Sequence, residues 1–407
     1  MSLLEQYEPI VGKDVINELK LLGSHLKGTS VQNVNSTAVG GGVAEILHRM
    51  IPLLKEQGID ATWEVIKGGE QFYNVTKKIH NALHGTPEIL TPDMIDTFWE
   101  NSQLNLEQMS CDADIMFIHD PQPIALINKR EGQKNKWIWR CHVDVSRPND
   151  AVWNFLCQFI ARYDASVFSA PQFSPQLPIK QYMIPPSIDP LADKNKDLKQ
   201  ETIDEVLHRF KIKTDKPIIT QVSRFDFLKD PVGVIRAFRM VKKTIDCQLV
   251  LAGGTATDDP ESDIVLRQVN EEADGDPDIH VLLLPPGSDI EINALQRASA
   301  VVMQKSLREG FGLTVAEALW KGRPVVASAV GGIPLQIKHK YSGMLCHSVE
   351  GAALATRQIL NNKDFAKQLG INGKEQIRTH HLLTRHLREY MLLFLALEKE
   401  GDIVHLN

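Results

Sequence analysis

The sequence predicts an α/β protein made of two doubly wound domains, in which helices cover both faces of a parallel sheet. Three observations lead to this prediction. The chain has 407 residues, and single hydrophobic cores stop growing at about 250–300 residues, so two domains are expected. Short apolar runs alternate with amphipathic helical patterns along most of the chain, which is typical of parallel sheets. A polar stretch over residues 189–216 divides these runs into two series, and we place the domain boundary within it.

The first series consists of strands that are short, rich in β-branched or aromatic residues, and bounded by glycine, proline or polar residues. They cover residues 31–35, 63–66, 115–119, 137–141, 166–168 and 182–185. A helix is predicted from Val43, where apolar residues recur at helical spacing, and Pro52 is expected to interrupt its far end. These elements define a predicted N-terminal domain over residues 1–200. Its first 30 residues are expected to form a helix packed on the surface.

The second series has the same character and defines a predicted C-terminal domain over residues 201–380. Its strands cover residues 218–222, 248–252, 281–284, 300–304 and 325–328. A helical segment over residues 201–210 precedes them. The last helix, roughly residues 383–397, is long and apolar on one face. We expect the segment 381–407 to pack back towards the N-terminal domain.

Composition limits the classes of function. The net charge is −6, so the chain has no basic field with which to bind nucleic acid through bulk electrostatics. No window approaches ~18 uncharged apolar residues, so we expect no membrane span, and the N-terminus lacks the pattern of a signal peptide. The five cysteines are scattered and form no CxxC motif. This pattern favours reduced thiols in the cytoplasm and argues against a zinc site.

A glycine-rich loop follows the first predicted strand. Residues 36–42 read STAVGGG and lead directly into a helix. The glycines Gly40, Gly41 and Gly42 allow the backbone to approach a ligand closely, and a helix N-terminus favours a phosphate group. The same loop is equally consistent with a tight turn between strand and helix. It matches neither GxGxxG nor a Walker loop, which argues against a dehydrogenase and against a P-loop NTPase.

The second predicted domain opens with a loop that carries two cations. Arg224 and Lys229 are five residues apart, just beyond the carboxyl end of a predicted strand. Converging cations stabilise a diphosphate leaving group, because negative charge accumulates on it as the bond breaks. Taken alone, two solvated side chains on a surface loop are the commoner interpretation.

The strongest local pattern is REGFGLTVAEA at residues 308–318. Glu309 lies on a glycine-rich loop, and Glu317 lies on a helix predicted to begin near residue 313. A carboxylate one turn inside the helix can accept two hydrogen bonds from ribose hydroxyls, and one on the loop can bind sugar hydroxyls. The alternative is a glutamate that only stabilises the helix N-terminus. The loop and the start of the helix also form a predicted anion site, whose candidate residues are Gly312, Leu313 and Thr314.

Together these motifs resemble one enzyme family. Glu309 and Glu317 match the E-x7-E signature of retaining glycosyltransferases of the GT-B fold, family 4. The segments KGRPVVA and VGGIP, at residues 321–327 and 330–334, match those that follow this signature in the family. The loop SRFD together with Lys229 matches the family's Arg/Lys pair at the donor diphosphate. The resemblance implies the GT-B fold, in which two Rossmann-like domains face a central cleft.

Motifs of the first domain narrow the resemblance to trehalose-forming members. They are VNST before GGGVAEIL, FYNVTK before HNAL, HDPQP, and WRCHVD. They look like the synthases that join a nucleotide-activated glucose to free glucose. They are also similar to the retaining trehalose phosphorylases.

The resemblance assigns roles in the first domain. His142 would lie next to the anomeric centre and the donor sugar, and would be catalytic. Asp120 would bind the acceptor, and Asp144 and Asn81 are further candidate acceptor ligands. Without the resemblance, His142 is more simply a buried histidine at a strand end, and Asp120 an ordinary turn residue before proline.

In the second domain, the resemblance implies that Arg224 and Lys229 hold the diphosphate. Glu309 would bind the transferred glucose and Glu317 the ribose. Arg224, Lys229 and Glu309 would therefore be catalytic together with His142. We find no metal-ligand cluster such as DxD in a fitting place, and interpret the pair at residues 258–259 as a turn.

The implied reaction is reversible formation of trehalose from ADP-, UDP- or GDP-glucose and free glucose, with retention at the donor carbon. The resemblance implies that no cofactor is required, although a divalent cation such as Mg²⁺ can associate with the nucleotide. It also implies a homodimer. Two alternatives stay open. One is a retaining trehalose phosphorylase that places inorganic phosphate where the diphosphate lies. The other is an inactive protein that binds sugar nucleotides.

Overall fold

The computed structural model describes residues 2–38, 42–254 and 260–399. The chain divides into two compact units. One comprises Met1–Pro186 together with Leu383–Asn407, and the other comprises Ser187–Leu382. The polar stretch at residues 189–216, where the sequence predicts the boundary, thus belongs to the second unit. The first residues of this stretch are bound to the second unit, because Asn293 Nδ2 donates hydrogen bonds to the carbonyls of Asp193 and Lys196, both at 2.8 Å.

The first unit contains a parallel six-stranded sheet. Its strands are β1 (Ser30–Asn35), β2 (Asp60–Val65), β3 (Ile115–His119), β4 (Lys136–Arg140), β5 (Ala165–Phe168) and β6 (Lys180–Met183). The spatial order is β2-β1-β3-β4-β5-β6, so all six strands predicted for this region are present. The order reverses between β1 and β3, which makes this pair the topological switch point of the sheet.

Helices cover both faces of this sheet. They are α1 (Glu8–Val11), α2 (Lys13–His25), α3 (Gly42–Glu56), α4 (Glu70–Leu83), α5 (Pro92–Gln108) and α6 (Asp150–Ile160). The predicted interruption of α3 at Pro52 is wrong, because the helix continues to Glu56. Proline removes one backbone donor, but the apolar side chains of Met50, Leu53 and Leu54 on either side of it are buried and hold the turn in place.

The second unit contains another parallel six-stranded sheet. Its strands are β7 (Ile218–Val222), β8 (Gln248–Gly253), β9 (Ile279–Leu283), β10 (Val301–Gln304), β11 (Val325–Ser328) and β12 (Met344–Cys346). The order is β12-β11-β10-β7-β8-β9, with the switch point between β7 and β10. The sequence predicted the first five of these strands and missed β12.

The helices of the second unit pack on both faces of its sheet. They are α7 (Gln200–Arg209), α8 (Pro231–Lys242), α9 (Pro260–Ala273), α10 (Asp289–Ala298), α11 (Leu313–Trp320), α12 (Ile333–Gln336), α13 (Val349–Asn361) and α14 (Lys363–His380). One apolar core joins α8, α9 and α13 to the sheet, and a second joins α7 and α10 to the other face. Side-chain caps define where several helices begin, for example Ser348 at α13 and Asn362 at α14.

The last helix, α15 (Leu383–Glu398), lies in the first unit. It packs on α2 and α3, and Arg388 Nε lies 2.6 Å from Glu18 Oε1 of α2. Its buried face carries three polar side chains, Thr384, His386 and Tyr390, among leucines, a methionine and a phenylalanine. Within the described residues, no helix has the length and apolar character needed to cross a bilayer.

Candidate active site

Candidate residues of the first unit gather at the carboxyl edge of its sheet. Strand β3 ends at His119 and β4 ends at Arg140, which is its partner in the strand register. The loops that follow place Asp120 and His142 at the same edge. This edge adjoins the switch point between β1 and β3, where open α/β sheets bind their ligands.

Asp120 fastens the loop that carries His142. Its backbone is left-handed, with φ 66°, and its N–H donates to the Arg140 carbonyl at 2.8 Å. Its Oδ1 accepts a 2.8 Å hydrogen bond from the His142 backbone N–H. Burial raises the pKa of Asp120 to about 6, while that hydrogen bond and the Arg140 charge lower it. Oδ2 has no partner among the described residues, so one oxygen is available to a ligand hydroxyl.

His142 is half-buried, and its ring contacts a second histidine. Its Nε2 lies 3.1 Å from His119 Nδ1. Desolvation lowers the pKa of His142 well below its ordinary value, and the neighbouring charges of Arg140, His119 and His386 act in the same direction. The imidazole is therefore neutral at neutral pH, and it can exchange hydrogen bonds with a sugar without carrying charge.

The other first-domain candidates are less closely grouped. Asp144 Oδ1 accepts a 2.9 Å hydrogen bond from the Ser146 N–H and so closes a turn. Asn81 lies exposed on α4. Gly42 is the first residue of α3. Gly40 and Gly41 lie outside the described residues, as does the predicted turn at residues 258–259.

In the second unit, Lys229 lies at the end of a short 3₁₀ turn after β7. Gln221 Nε2 donates to its carbonyl at 2.8 Å. The next residue, Asp230, is left-handed with φ 48° and caps α8 through its side chain. Lys305, at the end of β10, forms an ion pair with Asp230. These contacts fix the Lys229 backbone at the switch point between β7 and β10.

Lys229 and Glu309 form an ion pair at this switch point. Lys229 Nζ lies 2.8 Å from both carboxylate oxygens of Glu309. Ser306 Oγ donates a further hydrogen bond to Glu309 Oε2 at 3.1 Å. Arg224 is more exposed, and its Nη2 contacts Asp226 Oδ2 at 3.2 Å. The structure thus brings Lys229 and Glu309 together, while Arg224 is held by its own loop.

The predicted anion site at the start of α11 has the expected backbone. Gly312 adopts φ 83° as the N-cap, and Leu313 and Thr314 form the first turn. The first N–H groups of a helix are available to an anion, and the helix dipole favours negative charge there. Because Gly312 has a left-handed backbone, it cannot itself be part of the right-handed helix. Gly312 therefore fixes the position of the first N–H groups of α11.

Glu317, one turn into α11, is almost completely buried. Lys194 Nζ lies 3.9 Å from its Oε1 and 3.8 Å from Asp289 Oδ1. Lys321 Nζ donates to Asn195 Oδ1 at 3.0 Å and to the Glu317 carbonyl at 3.2 Å. Burial lowers the pKa of Lys321 to about 7, against the opposing effect of the Glu317 charge. The Glu317 carboxylate therefore lies in positive surroundings.

Several residues around the candidates were not predicted. His119 and Asn33 lie beneath His142, Ser306 contacts Glu309, and Lys194 approaches Glu317. For Asn33 and His119 the available signal was a polar residue inside a strand that is otherwise buried on both faces. For Lys194 the sequence offered none, since it lies in a polar stretch far from Glu317 along the chain.

Two family models match the chain. One, described as "Trehalose synthase, N-terminal domain", matches residues 33–175. The other, described as "Glycosyl transferases group 1", matches residues 203–376. Together with two doubly wound units, these matches define a glycosyltransferase of the GT-B fold.

Individual relatives specify the family. A trehalose synthase from Thermococcus litoralis is 44% identical over 95% of this chain and 95% of that protein. The chain belongs to the trehalose synthase family and carries out glycosyl transfer related to trehalose. A trehalose phosphorylase from Grifola frondosa is more distant, at 31% identity over 93% of this chain and 58% of that protein.

Solved structures agree with the fold. A UDP-forming α,α-trehalose-phosphate synthase from Burkholderia vietnamiensis superposes with a TM-score of 0.71 at 15% identity, covering 91% of this chain and 98% of that one. At this identity the likeness concerns the fold alone.

Proposed function

We propose that this protein is a retaining glucosyltransferase that forms trehalose reversibly from a nucleotide-activated glucose and free glucose. The observation that carries the proposal is the cluster at the switch point of the second unit. There Lys229 contacts both oxygens of Glu309 at 2.8 Å, beside the free N–H groups of α11. A cation and a helix N-terminus suit a diphosphate, and a carboxylate suits sugar hydroxyls.

The second unit holds the donor in this proposal. Arg224 and Lys229 neutralise the charge that grows on the diphosphate as its bond to the sugar breaks. Glu309 binds hydroxyls of the transferred glucose, and its ion pair orients Lys229 towards the same donor. Glu317 accepts hydrogen bonds from the ribose hydroxyls, which requires Lys194 to yield part of its contact with that carboxylate.

The first unit holds the acceptor. Asp120 Oδ2 accepts a hydrogen bond from an acceptor hydroxyl, and His142 contacts the donor sugar. Asp144 and Asn81 are further acceptor ligands in this proposal. Binding both sugars in a reactive arrangement lowers the barrier by removing the entropy cost of bringing them together.

The chemical step exchanges one bond at the donor carbon. The bond from the anomeric carbon to the diphosphate oxygen breaks with its electron pair, and the acceptor hydroxyl oxygen attacks from the same face. Its proton passes to the departing phosphate oxygen. The products are trehalose and the nucleoside diphosphate, with the α configuration retained. In reverse, the diphosphate attacks trehalose and releases glucose.

A trehalose phosphorylase is the second candidate, favoured by the phosphorylase relative. In that reaction inorganic phosphate occupies the place of the diphosphate and uses the same Arg224 and Lys229. The ribose carboxylate would then have no ligand, so Glu317 distinguishes the two reactions.

The test incubates the protein with trehalose plus UDP, ADP, GDP or inorganic phosphate, and identifies the activated sugar. We expect a nucleotide-glucose with at least one diphosphate, and trehalose when that nucleotide-glucose is returned with glucose. Glucose 1-phosphate as the only activated product would establish the phosphorylase instead. A parallel series with a chelator tests whether Mg²⁺ contributes, and light scattering tests the expected homodimer.

A further inference from the structure

Two polar side chains lie buried inside strands of the first unit, and the proposed reaction gives neither of them a role. Asn33 of β1 is 2% exposed and His119 at the end of β3 is 1% exposed. Asn33 Oδ1 and His119 Nε2 are 3.1 Å apart, across the switch point of the sheet. On its other side, His119 Nδ1 is 3.1 Å from His142 Nε2. The three side chains therefore form a continuous hydrogen-bonded row that ends at His142.

The first link fixes the direction of the whole row. Asn33 Nδ2 lies 3.3 Å from the Thr62 carbonyl of β2. A carbonyl can only accept, so the amide nitrogen of Asn33 faces Thr62 and the amide oxygen faces His119. Since that oxygen can only accept, His119 Nε2 must carry the proton.

The second link requires His119 to be neutral. Complete burial lowers the pKa of His119 to about 3, and the charge of Arg140 acts in the same direction. A neutral imidazole has one N–H and one lone pair. With the proton on Nε2, the lone pair of His119 is on Nδ1 and faces His142.

The third link transfers this constraint to His142. The ring planes of His119 and His142 differ by 21° and their centroids are 5.4 Å apart. The centroid separation exceeds the nitrogen–nitrogen distance by about two ring radii, so the rings meet edge to edge with the two nitrogens pointing at each other. His142 Nε2 must then carry a proton and donate a hydrogen bond to His119 Nδ1, because that nitrogen can only accept, and this bond sets the tautomer of His142.

We propose that Asn33 and His119 are positioning residues that hold His142 as its Nε2–H tautomer, with the Nδ1 lone pair as the acceptor for a hydroxyl of the bound sugar. The assignment to a sugar rests on the proposed function, whereas the tautomer itself does not. Two anchors fix the residue. The His142 backbone N–H is bound to Asp120 Oδ1 at 2.8 Å, and its ring is bound to His119. Nδ1 has no protein partner within the described part of the chain.

The direction of this last hydrogen bond matters for the ligand. An Nδ1 lone pair accepts from a hydroxyl, whereas an Nδ1–H would repel that hydroxyl proton and bind only an acceptor oxygen. Because the direction of every hydrogen bond in the row is fixed, His142 is already set to bind the hydroxyl in one rotamer when the sugar binds. Such preorganisation costs nothing at the moment of reaction.

The first test reads the tautomer directly. Nitrogen-15 spectra of histidine-labelled protein distinguish protonated from unprotonated ring nitrogens, and variants with His119 or His142 replaced identify their signals among the 14 histidines. We expect protonated Nε2 and unprotonated Nδ1 for both residues at neutral pH. A protonated Nδ1 on His142 overturns the proposal. This result is independent of the reaction, so it stands or fails separately from the proposed function.

The second test breaks the row at its far end. Asn33→Leu keeps the approximate volume but removes both hydrogen bonds, so His142 should populate both tautomers and kcat/KM should fall about tenfold. Affinity for the nucleoside diphosphate should not change. The matched control is Gln32→Leu, which removes another buried amide from the opposite face of the same strand. The Gln32 amide contacts Glu64 and the Ser110 carbonyl, away from His119. Equal effects of the two variants on tautomer and kcat/KM would overturn the proposal.

The third test asks whether hydrogen bonds or ring shape matter at residue 119. In glutamine, an accepting oxygen and a donating nitrogen flank one carbon, as the two nitrogens of imidazole do. We expect His119→Phe to lower kcat/KM, and His119→Gln to keep kcat/KM close to that of the unmodified protein. Equal losses in both variants would show that only packing matters and would overturn the positioning role. If His119→Phe does not fold, comparison of His119→Gln with Asn33→Leu decides the same question, because only Asn33→Leu should disturb the His142 tautomer.

Discussion

The ion pair between Lys229 and Glu309 affects how the loss of either residue should be interpreted. Each carboxylate oxygen of Glu309 is 2.8 Å from Lys229 Nζ, so replacing one residue also releases the other. Arg224 is independent of this pair, because it contacts Asp226 on its own loop. Variants of Arg224 therefore measure charge at the leaving group more directly than variants of Lys229 do.

We predict that Arg224→Ala and Lys229→Ala each lower kcat/KM for trehalose formation by ~10²-fold or more. In the proposed reaction both cations act on a charge that is larger in the transition state than in the bound donor, and a hundredfold corresponds to ~2.7 kcal/mol. Steady-state kinetics with the nucleotide-glucose measures this loss. Arg236→Ala is the control, since Arg236 is an exposed arginine on α8. Near-normal turnover in both site variants would contradict the diphosphate assignment.

The two glutamates of the E-x7-E signature should differ in the kind of loss they cause. Glu317→Gln should weaken binding of the free nucleoside diphosphate about tenfold, because its proposed ribose contacts form without the sugar. Glu309→Gln should mainly lower the rate of transfer, because its proposed contacts are to the glucose, and should change that affinity only through the Lys229 that it releases. Titration calorimetry and kinetics measure the two effects. The reverse pattern would exchange the two roles, and no effect in either variant would remove the signature from the site.

The candidate residues come from motifs on loops after apolar strands and, for Glu317, on the helix that follows such a loop, and their roles come from the family resemblance. The sequence missed the residues that support them. Asn33 and His119 lie within predicted strands and were not candidate site residues, and Ser306 carries no distinctive pattern. A polar residue becomes informative only when its partner across the sheet is known, and that partner is far away in sequence.

Strands were predicted close to their observed positions wherever the sequence has a continuous apolar run. Strand β3 is buried at every position, and such strands are found close to where the sequence placed them. Strand β12 was missed because it has only three residues at the edge of its sheet. The stretch at residues 189–216 was predicted to contain the domain boundary because it is polar, whereas the structure assigns it to the second unit. Its packing on the second unit depends on Asn293 and Arg297, which lie about a hundred residues away.

The start of α11 gives a prediction about backbone strain. Gly312→Ala should lower stability by ~1–2 kcal/mol, because a residue with a Cβ is disfavoured in the left-handed region. It should also reduce activity, since the new Cβ would lie 3.2 Å from Glu309 Cγ and 3.3 Å from Ile333 Cγ1. Thermal unfolding and kinetics measure the two effects.

Gly287→Ala is the matched control for this variant. Gly287 has a φ of 84°, close to that of Gly312, but its Cβ would meet nothing within 4 Å. The two variants should lose similar stability, and only Gly312→Ala should lose activity beyond that. Equal activity in both would mean that Glu309 tolerates the crowding and that the loop is not a rigid part of the site.

The first unit buries several polar groups beneath its last helix. In the first unit, α15 covers a sheet face that carries His119 and Arg140, and it adds His386 and Tyr390 to the same buried region. Burial lowers the pKa values of His119, His142 and His386. The chain returns to the first unit after leaving it for almost two hundred residues, so this polar face includes residues from the far end of the sequence.

We therefore predict that the molecule loses stability as the pH falls below neutrality. Burial lowers the pKa of His119 from its ordinary 6.5 to about 3 in the folded protein, so the unfolded chain binds more protons between these two pH values. The stability that the neutral His119 contributes is fully present above pH 6.5 and is lost as the pH falls towards 3. Asp120 opposes this, because its pKa is raised from 3.8 to about 6, but three histidines outweigh one carboxyl. Urea unfolding at several pH values measures the slope. His119→Gln, which cannot titrate, should show a shallower slope, and an unchanged slope would place the proton uptake elsewhere.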